Sequence, residues 1–299
     1  MKNILISGLV NTETTVKVHK FPIPYYPIDY PFFGVNTAVS GVAYNIACAM
    51  QTLGDSAMLL SMTGEDFPAA YIRQEISAAG LDASRIKPSL RETPSSVVLY
   101  DEEGKRQIYC DLKDIQEADY GFPEDICQNF DLVVACNTNF NRALLPLAKA
   151  TGTPIATDVH VLTNIWDDYN RDFMRYADIL FLSDEGIGDD YRGFLLELAQ
   201  VYGTSIIVLG RGSKGAAMYV KEQDRIFELP AVSAGPVVNT VGAGDALFSG
   251  FIHFYAKGLT PLECLMRAQW FAAAKIRVSG AAKGFVSEEA LENLMKGRE

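Results

Sequence analysis

Short apolar runs alternate with longer segments of helical periodicity along almost the whole chain of 299 residues. Residues 4–6, 132–136 and 179–182 are runs of the first kind, which are typical of strands buried on both faces. Repeated strand–helix units with short connections predict an α/β fold, with a mostly parallel sheet covered by helices on both faces. Neither an internal repeat nor a domain-sized linker interrupts the pattern, so residues 1–299 are predicted to form a single domain.

Periodicity and stop signals predict the bounds of three further elements. Helices are expected at residues 142–150 and 261–279, and a strand at residues 154–157 is expected to end just before Asp158.

Composition and charge exclude several classes of protein. The net charge is −11 and no run of Lys or Arg is long, which argues against a nucleic-acid partner but not against a nucleotide ligand. The apolar run at residues 4–6 is too short for a signal peptide, and no stretch approaches the roughly 20 apolar residues of a membrane span. The five cysteines are odd in number and form no Cys-x-x-Cys pair, so we expect reduced thiols. A cytoplasmic protein with neither membrane nor nucleic-acid partners is predicted.

Two half-exposed runs predict a small sheet that projects from the main body, and a hairpin is predicted separately. Residues 14–19 and 34–39 alternate apolar and polar positions, and residues 95–100 and 107–110 bracket a hairpin turn at 101–104. Between the first two runs, residues 21–33 contain four prolines, which exclude regular helix and interior strand. The aromatic residues of that segment favour a packed loop or a subunit contact, such as a homodimer, over a substrate pocket.

The turn Gly242-Ala243-Gly244-Asp245 has the features of an anion site. It connects the pair Val237-Val238, predicted to be extended, to a helical segment. Small residues let backbone amides approach a ligand, and the N-terminus of a helix favours negative charge. Asp245 would repel phosphate, so it either caps its own helix or acts as a base. The turn is neither a Walker A sequence nor a dinucleotide fingerprint.

Several polar or glycine-rich segments are predicted to follow strands. Ligands of parallel sheets bind beyond the carboxyl ends of the strands, so convergence of these segments predicts a site there. They are Asn137, Asp158, residues 183–185, residues 210–212 and residues 239–245.

Two stretches together resemble the signatures of the ribokinase-like (PfkB) carbohydrate kinases. Residues 239–251 are similar to the C-terminal signature, usually written Asp-Thr-x-Gly-Ala-Gly-Asp, and residues 40–54 with 63–66 are similar to the N-terminal signature. The resemblance covers nearly the whole chain. It implies a three-layer α/β/α fold with a mostly parallel central sheet and a small β-sheet lid, formed by segments near 13–39 and 95–110.

The resemblance also implies an activity, which is ATP-dependent phosphorylation of a hydroxymethyl group on a small sugar, with Mg²⁺. Asp245 would accept the hydroxyl proton, and the amides of Gly242, Ala243 and Gly244 would form the anion hole. Positions that match acceptor-binding residues of the family are Glu13, Gly41 and Asn45. Positions that match its nucleotide-binding residues are Gly210, Arg211, Gly212 and Thr240, although Arg211 alone is equally well interpreted as a solvated loop residue.

The sequence departs from the family pattern at two functional places. Asn239 stands where relatives have Asp and Val241 where Thr is frequent, so the binding of a monovalent cation, as in potassium-activated relatives, stays an open question for this chain. Gly186 stands where many relatives have a Glu that orients Mg²⁺ through water, which makes Glu185 the nearest candidate carboxylate.

Two other functions remain open. A nucleoside kinase of the same family is suggested by the stacking surface that Tyr25, Tyr26, Tyr30 and Tyr44 would offer. A catalytically silent sugar-binding regulator is suggested by Asn239 and Gly186, but Asp245 and the residues of the anion hole are all present.

Overall fold

The computed structural model of the protein describes residues 1–297, so residues 298 and 299 of the predicted domain lie outside the described part. The strands in chain order are β1 (Asn3–Ser7), β2 (Asn11–Lys17), β3 (Val35–Ser40), β4 (Ser56–Thr63), β5 (Ile86–Pro88), β6 (Ser95–Tyr100), β7 (Arg106–Asp111), β8 (Leu132–Ala135), β9 (Ile155–Val161), β10 (Ile179–Ser183), β11 (Ile206–Gly210), β12 (Ala216–Val220) and β13 (Arg225–Leu229). The α-helices are α1 (Val42–Leu53), α2 (Phe67–Ala78), α3 (Leu144–Thr151), α4 (Arg171–Tyr176), α5 (Tyr191–Tyr202), α6 (Ala243–Ala256), α7 (Pro261–Lys275) and α8 (Glu288–Lys296).

A large sheet forms the centre of the molecule, with strand order β13-β12-β11-β10-β9-β8-β1-β4-β5. Its strands pair in parallel from β5 to β11, and β12 and β13 add an antiparallel edge. Helices α1, α6 and α7 bury their apolar side chains against one face, and α3, α4 and α5 bury theirs against the other. This confirms the predicted three-layer α/β/α fold.

The small sheet is also confirmed, with strand order β3-β2-β6-β7. Asp66 ties its base to the main body, because its carboxylate caps α2 at Ala69 N over 3.0 Å and accepts from Thr93 N over 2.8 Å. Thr93 lies two residues before β6. The carboxylate of Asp66 therefore caps α2 in the main body and also fixes the position of the chain just before β6 of the small sheet.

The segment before α6 corrects one prediction. Val237 and Val238 are exposed and belong to no strand, and residues 230–242 cross the surface between β13 and α6. Val238 and Asn239 donate their amides to the carbonyl of Ile276, just after α7, over 2.9 and 3.1 Å. A loop that hydrogen-bonds to a helix end therefore replaces the predicted strand, and residues 239–245 do not follow a strand.

Other predicted boundaries were wrong by a few residues. A 3₁₀ turn at Asn139–Ala143 precedes α3, and α7 ends at Lys275 instead of residue 279. β9 continues through Asp158 to Val161, with His160 at a φ of 59°, and the register of its pairing with β10 shifts there. Helix α4 and strand β5 are too short for the pattern to reveal. Within residues 1–297, no helix has the length and apolar character needed to cross a membrane.

Candidate active site

Asp245 lies in the first turn of α6, the helix that packs between α1 and α7. Asn45, in the first turn of α1, donates from Nδ2 to Oδ2 of Asp245 over 2.7 Å. The buried apolar faces of α1 and α6 fix this pairing, because both helices contribute to the same core cluster. The structure therefore joins the two stretches singled out in the sequence.

Several backbone amides at the start of α6 have no hydrogen-bond acceptor in the described part of the chain. Gly242 is the N-cap residue, and within residues 1–297 the N–H groups of Gly242 and Gly244 have no hydrogen-bond acceptor. The N–H of Ala243 donates to the carbonyl of Thr240 over 3.1 Å. A Cβ at Gly244 would meet no atom within 4 Å, so a ligand can approach the backbone there.

Gly242 is required by its conformation and by its surroundings. Its φ is 78°, and an added Cβ would lie 2.7 Å from the carbonyl oxygen of Ala281 and 3.2 Å from Cε of Lys275. The free amides of the turn therefore depend on a position that only glycine fills without strain.

The pKa of Asp245 is raised, chiefly because burial disfavours the charged carboxylate. The hydrogen bond from Asn45 and the charges of His160 and Lys275 oppose that rise, while Asp158 adds to it. A carboxylate with a raised pKa, held by one hydrogen bond at an anion site, is suited to accept a proton.

Glu13 shares this cluster from the lid side. It lies half-buried on β2, its Oε2 accepts from Ser40 Oγ over 3.3 Å, and its pKa is raised by burial and by the charge of Asp245. Asn11 faces the same side of β2, since side chains two apart on a strand share a face. Oδ1 of Asn11 and Oδ1 of Asn45 are buried and have no hydrogen-bond partner among the described residues. The sequence prediction missed Asn11, although its spacing from Glu13 could have indicated it.

Lys275 was also missed. It is the last residue of α7, its side chain is fully buried, and Nζ donates to the carbonyl of Val241. Burial lowers the pKa of Lys275 to about 8, while Asp245 and Glu13 oppose that shift. In the sequence, Lys275 follows small and apolar residues of a predicted helix. That pattern alone does not distinguish a buried lysine from a lysine on the surface.

The predicted nucleotide-binding residues lie at two places. Gly210 ends β11, Arg211 follows it, and Gly212 begins a 3₁₀ turn with a φ of 53°. The guanidinium of Arg211 stacks over the ring of Tyr191 at 3.9 Å, and its Nε is buried without a partner in residues 1–297. Arg211 is thus held in place instead of being solvated. Thr240 is exposed beside the turn at the start of α6.

The predicted metal-ligand region contains an exposed Glu185 after β10. Gly186 has a φ of 85°, and a Cβ there would lie 2.7 Å from Cγ2 of Thr163. This turn therefore cannot hold the family's Glu at position 186 without rearrangement. Over the described residues, no group of three or more His, Cys, Asp or Glu side chains is placed to hold a metal ion.

Three other predicted residues have structural explanations. Gly41 caps α1 with a φ of 105°, and a Cβ there would lie 2.4 Å from the carbonyl oxygen of Leu9. Asn137 follows β8 and donates to Asn170 Oδ1 over 3.1 Å. Tyr44 is buried in the core, so its predicted part in a stacking surface is wrong, whereas Tyr25, Tyr26 and Tyr30 are exposed.

Comparisons with known proteins identify the family of the chain and proteins with a similar fold. A family model described as pfkB family carbohydrate kinase matches residues 1–288. A fructosamine kinase (FrlD) of Bacillus subtilis (strain 168) is 27% identical over 81% of this chain and 84% of its own length. A nucleoside kinase of Methanocaldococcus jannaschii is 22% identical over 100% of this chain and 98% of its own. The solved structure of a microbiome-derived acarbose kinase, Mak1, superposes with a TM-score of 0.88 at 24% identity, covering 99% of both chains.

Proposed function

Because the chain belongs to the pfkB family of carbohydrate kinases, we propose that it transfers the γ-phosphoryl group of ATP to a hydroxymethyl group of a small sugar. Asp245 is the proposed base, and the amides of residues 242–244 are the proposed anion hole. The observation that carries the proposal is the placement of a carboxylate with a raised pKa beside unpaired backbone amides at one helix N-terminus.

The anion hole would act on the charge that develops on the transferred group. The N–H groups of Gly242 and Gly244 have no hydrogen-bond acceptor within residues 1–297, so they are available to a ligand. Ala243 would join them once its 3.1 Å hydrogen bond to Thr240 is released. Removing one preorganised donor of this kind raises the barrier by about 3–4 kcal/mol in a measured case.

Asp245 would orient the acceptor hydroxyl and take its proton during transfer. Asn45 occupies Oδ2, which leaves Oδ1 to face the hydroxyl. A raised pKa makes the carboxylate a stronger base while burial keeps competing water away. Glu13 would bind acceptor hydroxyls from the lid side, and the unpaired Oδ1 of Asn11 supports the same role.

ATP would lie along the edge of the sheet where β10 and β11 end. Gly210, Gly212 and the fixed guanidinium of Arg211 are the proposed nucleotide contacts on one side, and Thr240 on the other. Mg²⁺, when bound with ATP, neutralises phosphate charge. We propose that the exposed carboxylate of Glu185, in the turn after β10, interacts with this Mg²⁺. A metal ion that is also bound by the phosphates of ATP does not need a cluster of protein ligands.

The four-stranded sheet would close over the acceptor as a lid. Glu13 and Ser40 lie on its strands and hydrogen-bond to each other, and the charge of Asp245 acts on Glu13. Closure would exclude water and limit hydrolysis of ATP.

We propose a homodimer that forms through the lid, because the lid has an exposed apolar surface. Its members, all on residues 21–33, are Ile23, Tyr25, Tyr26, Ile28, Tyr30, Phe32 and Phe33. β3 and β7 form the edges of the lid sheet, so a second copy can cover this surface and pair with an edge. Light scattering of the wild type and of a Phe32→Ser, Phe33→Ser variant tests this: a dimer that the variant loses supports it, and a monomeric wild type contradicts it.

A nucleoside acceptor is the second candidate, and the favouring observation is the likeness to a nucleoside kinase over the whole chain. Burial of Tyr44 removes one of the four rings that suggested stacking. A regulator without catalysis is disfavoured, because Asp245 and the unpaired amides are in place.

An ATP-consumption assay with a panel of acceptors tests the function. Ribose, fructose, a fructosamine, acarbose and nucleosides cover the chemistries of the relatives. A sugar phosphorylated on a hydroxymethyl group supports the proposal. Turnover with nucleosides alone selects the second candidate, and sugar binding without ATP consumption selects the regulator.

A further inference from the structure

Lys275 is a buried cation that has no role in the proposed transfer reaction as described above. Its side chain is fully buried, and no carboxylate of residues 1–297 lies within 4.0 Å of Nζ. A buried ammonium without a close counter-ion is costly to fold. Its hydrogen bond goes to a backbone carbonyl, that of Val241.

The carbonyl of Val241 and the N–H of Gly242 belong to one peptide unit. In a trans peptide the C=O and N–H bonds point in opposite directions. An ammonium that holds the carbonyl on the protein side therefore directs the N–H of Gly242 away from it, toward the open side of the turn. Hydrogen bonding at the carbonyl also polarises the peptide and strengthens its N–H as a donor.

Packing at the end of α7 fixes the same turn. Cε of Lys275 would lie 3.2 Å from a Cβ at Gly242, and the carbonyl of Ile276 accepts the amides of Val238 and Asn239. Two consecutive residues at the C-terminal end of α7 therefore fix this region. Ile276 binds the segment that precedes the turn, and Lys275 binds the peptide that carries the N–H of Gly242.

The charges around Lys275 come from three sides. Asp245 on α6 and Glu13 on β2 favour its protonated form, and burial disfavours it. The groups that act in turn on these two carboxylates are Arg106 on β7 and Asp158 and His160 on β9. With a pKa of about 8, Lys275 is mostly protonated at neutral pH.

We propose that Lys275 is a built-in cation that positions the anion hole: its ammonium holds the Val241 carbonyl, aims the Gly242 amide at the transferred phosphoryl group and makes a bound monovalent cation unnecessary. The inference rests on the proposed kinase function. Lys275 acts through the Val241–Gly242 peptide, so it is a positioning residue and does not touch the substrate.

The test compares Lys275→Met, Lys275→Arg and Lys275→Ala with a matched control, Lys87→Met. Lys87 also donates Nζ to a backbone carbonyl, that of Tyr120, but lies on β5 away from this cluster. We expect Lys275→Met to lower kcat about 10–100-fold with little change in the acceptor's KM. Lys275→Arg should keep more of the activity, and Lys87→Met should keep all of it.

Two further measurements separate positioning from damage to the fold. The Met variant should melt at a higher temperature than the wild type at pH 7, because it removes a buried charge, and should still bind ATP in calorimetry. Ethylammonium should raise the kcat of Lys275→Ala but not of Lys275→Met, whose side chain fills the space. The wild type should have the same activity, within about twofold, in sodium, potassium and tetramethylammonium salts.

Three results would overturn the inference. They are a wild-type kcat in Lys275→Met, failure of ethylammonium to rescue Lys275→Ala, and strict dependence of the wild type on potassium. A wild type that phosphorylates no acceptor contradicts the proposed function itself, so the two failures are distinguishable.

Discussion

The carboxamide of Asn45 donates to Oδ2 of Asp245 over 2.7 Å, although 200 residues separate them in the chain. The contact joins the first turn of α1 to the first turn of α6. It fixes the orientation of the carboxylate and leaves its other oxygen for an acceptor. The proposed site depends on this relationship, because an unrestrained carboxylate beside the anion hole would have no fixed direction.

Removing this hydrogen bond should change the pH dependence of turnover. The bond lowers the pKa of Asp245 against the effect of burial, so Asn45→Ala should raise that pKa further. A base must be unprotonated to act, so the acid limb of kcat/KM should move to higher pH. Asn36→Ala, at an exposed site on β3, is the control. An acid limb that stays in place in Asn45→Ala would contradict the assigned role.

Asp245→Asn should stabilise the folded protein while it impairs catalysis. The folded-state pKa of Asp245 is raised, so the ionised carboxylate destabilises the fold once the pH exceeds its unfolded value. The gain in melting temperature should therefore be larger at pH 8 than at pH 4. Asp82→Asn is a control of opposite sign, because hydrogen bonds from Ser84 lower the pKa of Asp82. An Asp245→Asn variant that melts lower than the wild type at pH 8 would count against the burial argument.

Asp66→Ala should affect both stability and lid function. Loss of an N-cap costs about 0.5–2 kcal/mol of unfolding free energy, and here the bonds to Thr93 are lost as well. We expect a raised KM for the acceptor and more ATP hydrolysis without acceptor. Ser287→Ala removes the N-cap of α8, far from the lid sheet, and should cost stability alone. Equal kinetic effects in the two variants would show that Asp66 only caps its helix.

The two glycines of the turn should respond differently to alanine. Gly244→Ala adds a methyl group to open space, so the protein should fold normally and lose at least about tenfold in kcat. Gly242→Ala forces a Cβ against Ala281 at a φ of 78°, so it should lower stability by at least about 1–2 kcal/mol. Denaturant unfolding and steady-state kinetics of both variants measure this difference. Normal turnover in Gly244→Ala would contradict the anion hole.

Much of the fold was predictable because strand burial and helix periodicity are local signals. The predicted strand at residues 95–100 has the bounds of β6, and the runs at 132–136 and 179–182 match β8 and β10 to within one residue. Val237 and Val238 have the composition of a strand, but the segment hydrogen-bonds to the carbonyl of Ile276 after α7 and pairs with no strand. Tertiary pairing, which a local pattern does not contain, decided that segment.

Some residues of the candidate site could be predicted from the sequence, and others are revealed only by the fold. Asp245 and Asn45 were found because each lies in a signature of family-specific residues. Lys275 belongs to no such signature, and only the fold brings its Nζ to the Val241 carbonyl. Gly186 could be identified as a departure from the family pattern, but its positive φ and the contact with Thr163 that exclude Glu there appear only in three dimensions.

A single-turnover experiment tests the role of Asp245 as the base most directly, with ATP labelled in its γ-phosphate and the acceptor found in the panel. Wild type and Asp245→Asn are compared at equal ATP occupancy, which calorimetry establishes. We predict that label passes to the acceptor in the wild type and that the variant binds ATP but transfers about 10²–10⁴-fold more slowly. Transfer by Asp245→Asn at the wild-type rate would contradict the assignment of Asp245 as the base.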